Sequence, residues 1–222
     1  MRSAVSPFRR FLGYVADAIW PSACILCGSD ERLVDREVCE DCLGKILHAE
    51  PRLTLPPLKS IDVLFLYDDV TRALVHRFKF GGKPQLASTL AELMVRHLER
   101  LGRLPEDVLL VPIPDHPTRR RERGYNPAEL LTDEFAKRLN LPLERNLLQR
   151  IHYGPHQSIL TDDERRRMHR NTFGAKAPVP GEEGRMLLLV DDVMHTGTTL
   201  KRAASSLQHV GWNDISALVL CG

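Results

Sequence analysis

Two adjacent carboxylates, Asp191 and Asp192, follow the apolar run MLLLV (Met186 to Val190) and precede VMHTGTT (Val193 to Thr199). A short continuous apolar run is the pattern of a parallel strand covered on both faces, so the acidic pair falls at a strand's carboxyl end. In open α/β sheets, ligands bind beyond that edge. Gly197 permits close backbone approach, the hydroxyls of Thr196, Thr198 and Thr199 donate hydrogen bonds, and a helix starting there offers unpaired N–H groups. Together these form a cradle for a phosphate, in which each charge-assisted hydrogen bond contributes roughly 1.5–3 kcal/mol. Carboxylates beside a phosphate repel it, so they must face another part of the ligand, such as vicinal hydroxyls. The pattern points to a sugar phosphate.

A second constellation lies near the start of the chain. Cys24 and Cys27 form CILC, and Cys39 and Cys42 form CEDC. Two C-x-x-C knuckles separated by a hairpin-length insert have the spacing of a four-thiolate structural zinc site, closed to catalysis. Two redox pairs or two disulfides are the alternatives; a chain without a secretory signal disfavours both. A closed site of this kind contributes on the order of 10 kcal/mol of apparent binding energy to a module too small for its own core. Cys221, in the last apolar run, reads as a buried small hydrophobe.

The elements that must position these groups are legible in outline. The 222 residues suffice for one α/β domain and a small appendage. At 43% hydrophobic and 27% charged, the composition is that of a globular protein. A net charge of +2 says little, but arginine clusters in RRRERG (Arg119 to Gly124) and DERRRMHR (Asp163 to Arg170), each either an anion site or solvated surface. No apolar run approaches the roughly 20 residues of a membrane-spanning helix. Arg2, Arg9 and Arg10 before FLGYVADAIW superficially resemble a secretory signal, and PSAC before Cys24 a lipoprotein site. Asp17 interrupts the apolar stretch, and Phe8, Phe11, Leu12, Val15, Ile19 and Trp20 recur at helical spacing, so a short amphipathic helix and a cytoplasmic protein are expected.

The expected organisation is an N-terminal helix and cysteine module over 1–50, a Pro-rich linker over 51–60 and an α/β domain over 61–222. Strands are expected at Ile61 to Tyr67, Val108 to Pro114, near Leu147 to Ile151, at Met186 to Val190 and at Ile215 to Cys221. Helices are expected at Val70 to Phe80, Gln85 to Gly102, Pro127 to Leu139 with Asn126 as cap, and about Thr198 to Val210. Alternating strands and helices imply a mostly parallel sheet with helices on both faces. The run LLLVDD also fits a Walker-B strand, but no G-x-x-x-x-G-K-[ST] or G-x-G-x-x-G loop accompanies it, and FGGKP (Phe80 to Pro84) does not qualify. A merely capped turn is the remaining bland alternative.

At Met186 to Thr199 the sequence resembles the phosphoribosyltransferase signature of an apolar run, two acidic residues, an apolar pair and Thr-Thr-Gly-x-Thr/Ser. VPIPDHPTRRRERGYNPAELL (Val111 to Leu131), FKFGGK, QSIL (Gln157 to Leu160), and Glu164-Arg165 followed by Asn171 and Phe173 are similar, in order, to segments of the ComF/GntX family. That family joins a zinc ribbon to a type I phosphoribosyltransferase domain. The resemblance covers nearly the whole chain and departs at two positions: His195 replaces the usual first threonine, and Met168 stands where asparagine is expected.

The resemblance implies an α/β, phosphoribosyltransferase-like, mostly parallel sheet flanked by helices, with a small N-terminal zinc-ribbon module. It implies binding of 5-phosphoribosyl 1-diphosphate (PRPP) with Mg2+: Asp191 and Asp192 on the ribose, and Val193, Met194, His195, Thr196, Gly197, Thr198 and Thr199 around the 5-phosphate. An enzyme of this kind transfers phosphoribosyl to a nitrogen acceptor with release of diphosphate, for which Lys79, Arg119, Arg123 and Arg165 are candidate cations and the acidic pair the candidate catalytic residues. The rival expectation is a non-catalytic PRPP- or nucleotide-binding module that partners DNA-uptake proteins. Few aromatics and no sustained basic stripe accompany the cysteine module, which argues against direct DNA recognition. No base role falls to His116, His152, His156 or His169, and Tyr125 either stacks on a base or packs.

Overall fold

The computed structural model describes residues 23–34, 37–46, 48–49, 52–151, 172–182 and 184–222. It divides into two compact units, Met1–Ile46 and Leu47–Gly222. The expected N-terminal helix, Arg165, His152, His156, His169, Asn171 and the QSIL segment lie outside the described residues.

In the first unit, β1 (Leu33–Val34) and β2 (Val38–Cys39) form an antiparallel hairpin that leads into the single-turn helix α1 (Glu40–Leu43). Its buried described residues are Cys24, Val38, Cys39, Cys42 and Ile46. Three of those five are cysteines, so apolar packing alone cannot hold the unit together.

The second unit is built on a five-stranded sheet. In chain order its strands are β3 (Arg52–Leu55), β4 (Leu58–Phe65), β5 (Val108–Pro112), β8 (Met186–Val193) and β9 (Ile215–Cys221). Across the sheet they run β3-β4-β9-β8-β5, antiparallel only between β3 and β4. The helices are α2 (Asp69–Phe80), α3 (Leu86–Leu101), α4 (Pro117–Arg123), α5 (Pro127–Leu139) and α6 (Thr198–His209). A separate antiparallel pair joins β6 (Leu148–Arg150) to β7 (Phe173–Ala175). The α/β, mostly parallel class expected from the sequence is borne out.

The parallel strands are mostly apolar because both faces are covered: all seven residues of β9 and all five of β5 are buried. Trp212, Phe78 and Phe135 anchor the core, and the Trp212 indole N–H donates to the Lys176 carbonyl at 2.9 Å. Helix starts follow local chemistry. Asp68 caps α2 through a capping box with Thr71, and the Asn126 side chain accepts from Ala128 N–H at 3.1 Å to cap α5. Asn126 also donates to the Ile113 carbonyl at 3.0 Å, tying the start of α5 to the end of β5.

Two elements differ from expectation. Where the sequence suggests a Pro-rich linker, Arg52–Leu55 turns at Pro56–Pro57 and pairs with β4, with Arg52 bridged to Asp62 at 3.1 Å. Where the sequence suggests a proline-bounded turn, α4 forms with His116 as cap, Pro117 in its first turn and Gly124, at φ 83°, as its left-handed end. Among the described residues, no helix is long and apolar enough to cross a membrane.

Candidate functional site

The parallel register places Pro112, Val193 and Cys221 at one edge of the sheet, the carboxyl edge of β5, β8 and β9. Asp191 and Asp192 close β8 there. A cavity of about 240 Å³ opens at this edge, and its walls include Asp191, Asp192, Val193, His195 and Thr199 from the sequence signature. Lys79, Arg119 and Arg123 line the same cavity. Met194, Thr196, Gly197 and Thr198 are not on its wall; the first three belong to the turn between β8 and α6, and Thr198 opens α6.

That turn carries the features expected of an anion cradle. Gly197 adopts φ 70°, a left-handed conformation that favours glycine, and a Cβ there would come within 2.6 Å of the Leu55 side chain, which would have to shift. As the residue capping α6 it contributes no side-chain hydrogen bond, leaving the first-turn N–H groups to other acceptors. The exposed hydroxyls of Thr196 and Thr198 lie 2.8 Å apart. His195 sets its ring edge-on to Tyr67, with centroids 5.5 Å apart.

The acidic pair is electrostatically strained. Asp191 is open to the cavity yet ringed by protein, and this desolvation, together with the neighbouring Asp192 charge, holds its carboxyl well above the usual range. The Asp192 N–H donates to Asp191 Oδ1 at 2.9 Å, which opposes the rise. Asp192 is buried and pairs with Lys79 Nζ at 2.9 Å. Beyond the pair, the Cys221 thiol is pushed up to about 12, by burial first and then by Asp192. It is buried, and the expectation of an inert small side chain stands.

Three further residues on the cavity wall were not anticipated. Asp115 accepts from Arg123 Nη1 at 2.9 Å, within a pair in which both side chains are largely buried. Arg150, from β6, lies over the Phe173 ring at 5.4 Å; burial lowers its guanidinium, while Asp115 and Asp191 oppose that shift. Asn126 also lines the cavity while serving as helix cap. The Pro at the start of α4 and Gly at its end were the available signal for Asp115 and the α4 arginines; nothing local marked Arg150. Among the described residues, Arg119 makes no ion pair or hydrogen bond, unlike Lys79 and Arg123.

In the other unit the sulfurs of Cys24, Cys27, Cys39 and Cys42 all lie within 4.8 Å of one another. The Cys27 and Cys39 sulfurs are 3.6 Å apart, near the roughly 3.8 Å edge of a tetrahedron built on 2.3 Å zinc–sulfur bonds. The Cys42 N–H donates to Cys39 Sγ at 3.4 Å, a bond that stabilises a thiolate. Burial pushes the Cys24 thiol up, but hydrogen bonds from the backbone at Cys39, Cys27 and Leu26 outweigh it and bring the thiol to about 6. Cys42 moves the other way, raised by burial and by the three neighbouring cysteines. A cation among the four sulfurs relieves that crowding, so the cluster fits a structural metal.

A mostly parallel sheet with an acidic pair and an open helix start at its carboxyl edge, preceded in the chain by a four-cysteine module, is the α/β arrangement expected from the sequence. The chain is 28% identical over 195 residues to competence protein F of Haemophilus influenzae, covering 86% of this chain and 81% of that one. It is 26% identical over 206 residues to the DNA utilization protein YhgH of Escherichia coli, covering 89% of each. With competence protein ComFC of Bacillus subtilis it shares 28% over 189 residues, covering 85% and 72%. The chain is similar to these proteins over most of its length, and the ComF resemblance is borne out. No family model matches it. Among solved structures, glutamine PRPP amidotransferase from B. subtilis is similar at 18% identity and a TM-score of 0.41, over 63% of this chain and 26% of that one.

Proposed function

We propose that the chain binds PRPP in the cavity at the carboxyl edge of β8. The observation that carries this reading is one cavity shared by the Asp191–Asp192 pair, Thr199 in the uncapped first turn of α6, and Arg119, a cation unpaired among the described residues. In this reading the 5-phosphate takes the N–H groups and hydroxyls from His195 to Thr199. The ribose 2- and 3-hydroxyls donate to Asp191 and Asp192. The diphosphate meets Arg119, while Lys79 and Arg123 neutralise Asp192 and Asp115 and so keep the cavity from repelling an anion.

Transfer follows from that pose. An acceptor nitrogen attacks ribose C1 with its lone pair; the C1–O bond to diphosphate breaks, its electron pair departs with the diphosphate, and the nitrogen gives one proton to solvent. Donors fixed where charge develops are the largest source of such catalysis, and Arg119 and Arg150 are the cations available for it. Mg2+, when bound, offsets the diphosphate charge, and Asp115, Asp191 and Asp192 are the hard oxygen donors that suit it. In the cysteine module the metal is zinc, in a structural role. The relatives are named for competence and DNA utilization, which supports DNA uptake as the setting of this activity. A second reading, PRPP binding without transfer, is favoured by His195 at a threonine position and its packing on Tyr67; diphosphate release with a defined acceptor separates the two.

The test is the joint substitution Asp191→Asn and Asp192→Asn. We expect PRPP affinity to fall at least 100-fold, from two lost charge-assisted hydrogen bonds at about 1.5–3 kcal/mol each, with circular dichroism unchanged. Unaltered affinity contradicts the ribose assignment.

A further inference from the structure

A second hollow, of about 470 Å³, adjoins the sugar-phosphate cavity: Lys79, Arg119 and Arg123 line both. Its size is that of a small-molecule site. What distinguishes it is an aromatic wall. Phe80, the last residue of α2, is 66% exposed, far more than a phenylalanine needs to be at the end of an amphipathic helix. The Arg123 guanidinium lies 4.9 Å from its ring centroid, so the ring is held in place without being covered. Tyr125 forms a second aromatic wall and is fixed by a hydrogen bond from its hydroxyl to the Phe78 carbonyl.

The polar groups of the hollow are almost all donors. Lysine and arginine have no acceptor, and Glu122 is the one acidic side chain on its walls. Arg123 is largely enclosed: its side chain is 9% exposed, one nitrogen is committed to Asp115, and its Nε is buried with no hydrogen-bond partner among the described residues. Arg119, exposed and unpartnered among the described residues, supplies a second donor.

Building on the PRPP reading, we propose that this hollow is the acceptor site and that it takes a flat aromatic acid bearing the attacking nitrogen: the ring lies against Phe80 and Tyr125, and the carboxylate accepts from Arg123 and from those N–H groups of Arg119 that the diphosphate does not engage. A neutral purine answers those donors only through uncharged ring acceptors, and a protonated aliphatic amine not at all. The shared cations place such a ring beside the sugar-phosphate cavity, as transfer requires.

The experiment titrates the intact protein with 2-aminobenzoate, cyclohexanecarboxylate, aniline and adenine, with and without PRPP and Mg2+. We expect 2-aminobenzoate to bind at least 10-fold more tightly than cyclohexanecarboxylate, aniline or adenine. Phe80→Ala, at an exposed position, should weaken it about 10-fold while PRPP binding changes less than 2-fold. Equal binding of acid and aniline, tighter binding of adenine, or indifference to Phe80→Ala overturns the proposal. Failure of PRPP itself to bind is read in a separate titration and sinks the sugar-phosphate assignment; the acids titrated without PRPP then still judge the hollow on its own.

Discussion

The four-cysteine cluster and the sheet-edge cavity each gather groups that repel one another, and they resolve the repulsion differently. Among the described residues, the four sulfurs within 4.8 Å have no protein cation between them, and their unit buries little besides the cysteines, Val38 and Ile46. The carboxylates of the cavity have Lys79 on Asp192 and Arg123 on Asp115, and they stand on a sheet that includes a wholly buried strand, β9. The first arrangement fits an added ion that would offset the crowding. The second is stable as it stands, with one carboxyl and one guanidinium left poised for a ligand. In the proposed reading, the contrast separates a metal that makes structure from a ligand that makes function.

The sharpest way to break the contrast is at the sulfurs. Cys24→Ser with Cys27→Ser should abolish metal binding and unfold the module, forfeiting an apparent binding energy of about 10 kcal/mol. Zinc content of one per chain falling to none, with new protease cleavage between residues 24 and 46, is the expected outcome. A metal-free protein that resists protease equally well contradicts the structural role.

A smaller effect is expected at Arg119. Because no described residue depends on it, Arg119→Ala should leave thermal stability within about 0.5 kcal/mol while weakening PRPP about 10-fold or more, as loss of a charge-assisted contact worth roughly 1.5–3 kcal/mol requires. Calorimetry beside thermal melts reads both. A loss of stability without a loss of affinity reverses the roles of Arg119 and the paired Arg123.

The subtlest test concerns Asp191. Its folded carboxyl is raised by desolvation and by Asp192, so the native state binds the proton more tightly than the unfolded chain. The stability this supplies is complete below the ordinary carboxylate range and is lost as pH rises through the raised folded value. Asp191→Asn removes that dependence. Its melting temperature relative to the parent should therefore climb with pH from acid to neutral, even as PRPP affinity is lost. A parallel pair of pH profiles contradicts the strained carboxyl.

Much of this was legible in residues whose meaning is local. The C-x-x-C pairs announce a cluster because sulfur spacing alone sets the knuckle, and MLLLV followed by two aspartates announces a buried strand ending at a ligand edge. Asn126-Pro127 marked the start of α5 because cap and first-turn chemistry are written in adjacent residues. The hairpin of β3 was not legible: Pro56–Pro57 reads as linker, and only pairing with the β4 register shows it to be a turn. Nor could sequence assign Lys79 to Asp192 or Arg123 to Asp115 among so many arginines, since sheet order decides which segments meet. Arg150, on a three-residue strand, carries no pattern at all.

Titration calorimetry of the intact protein with PRPP and Mg2+, with ribose 5-phosphate and ATP as competitors, tests most directly whether the sheet-edge cavity holds a phosphoribosyl group. The predicted result is micromolar binding of PRPP, displaced by ribose 5-phosphate and not by ATP. Absence of binding by a folded, metal-replete protein contradicts PRPP as the ligand of this cavity.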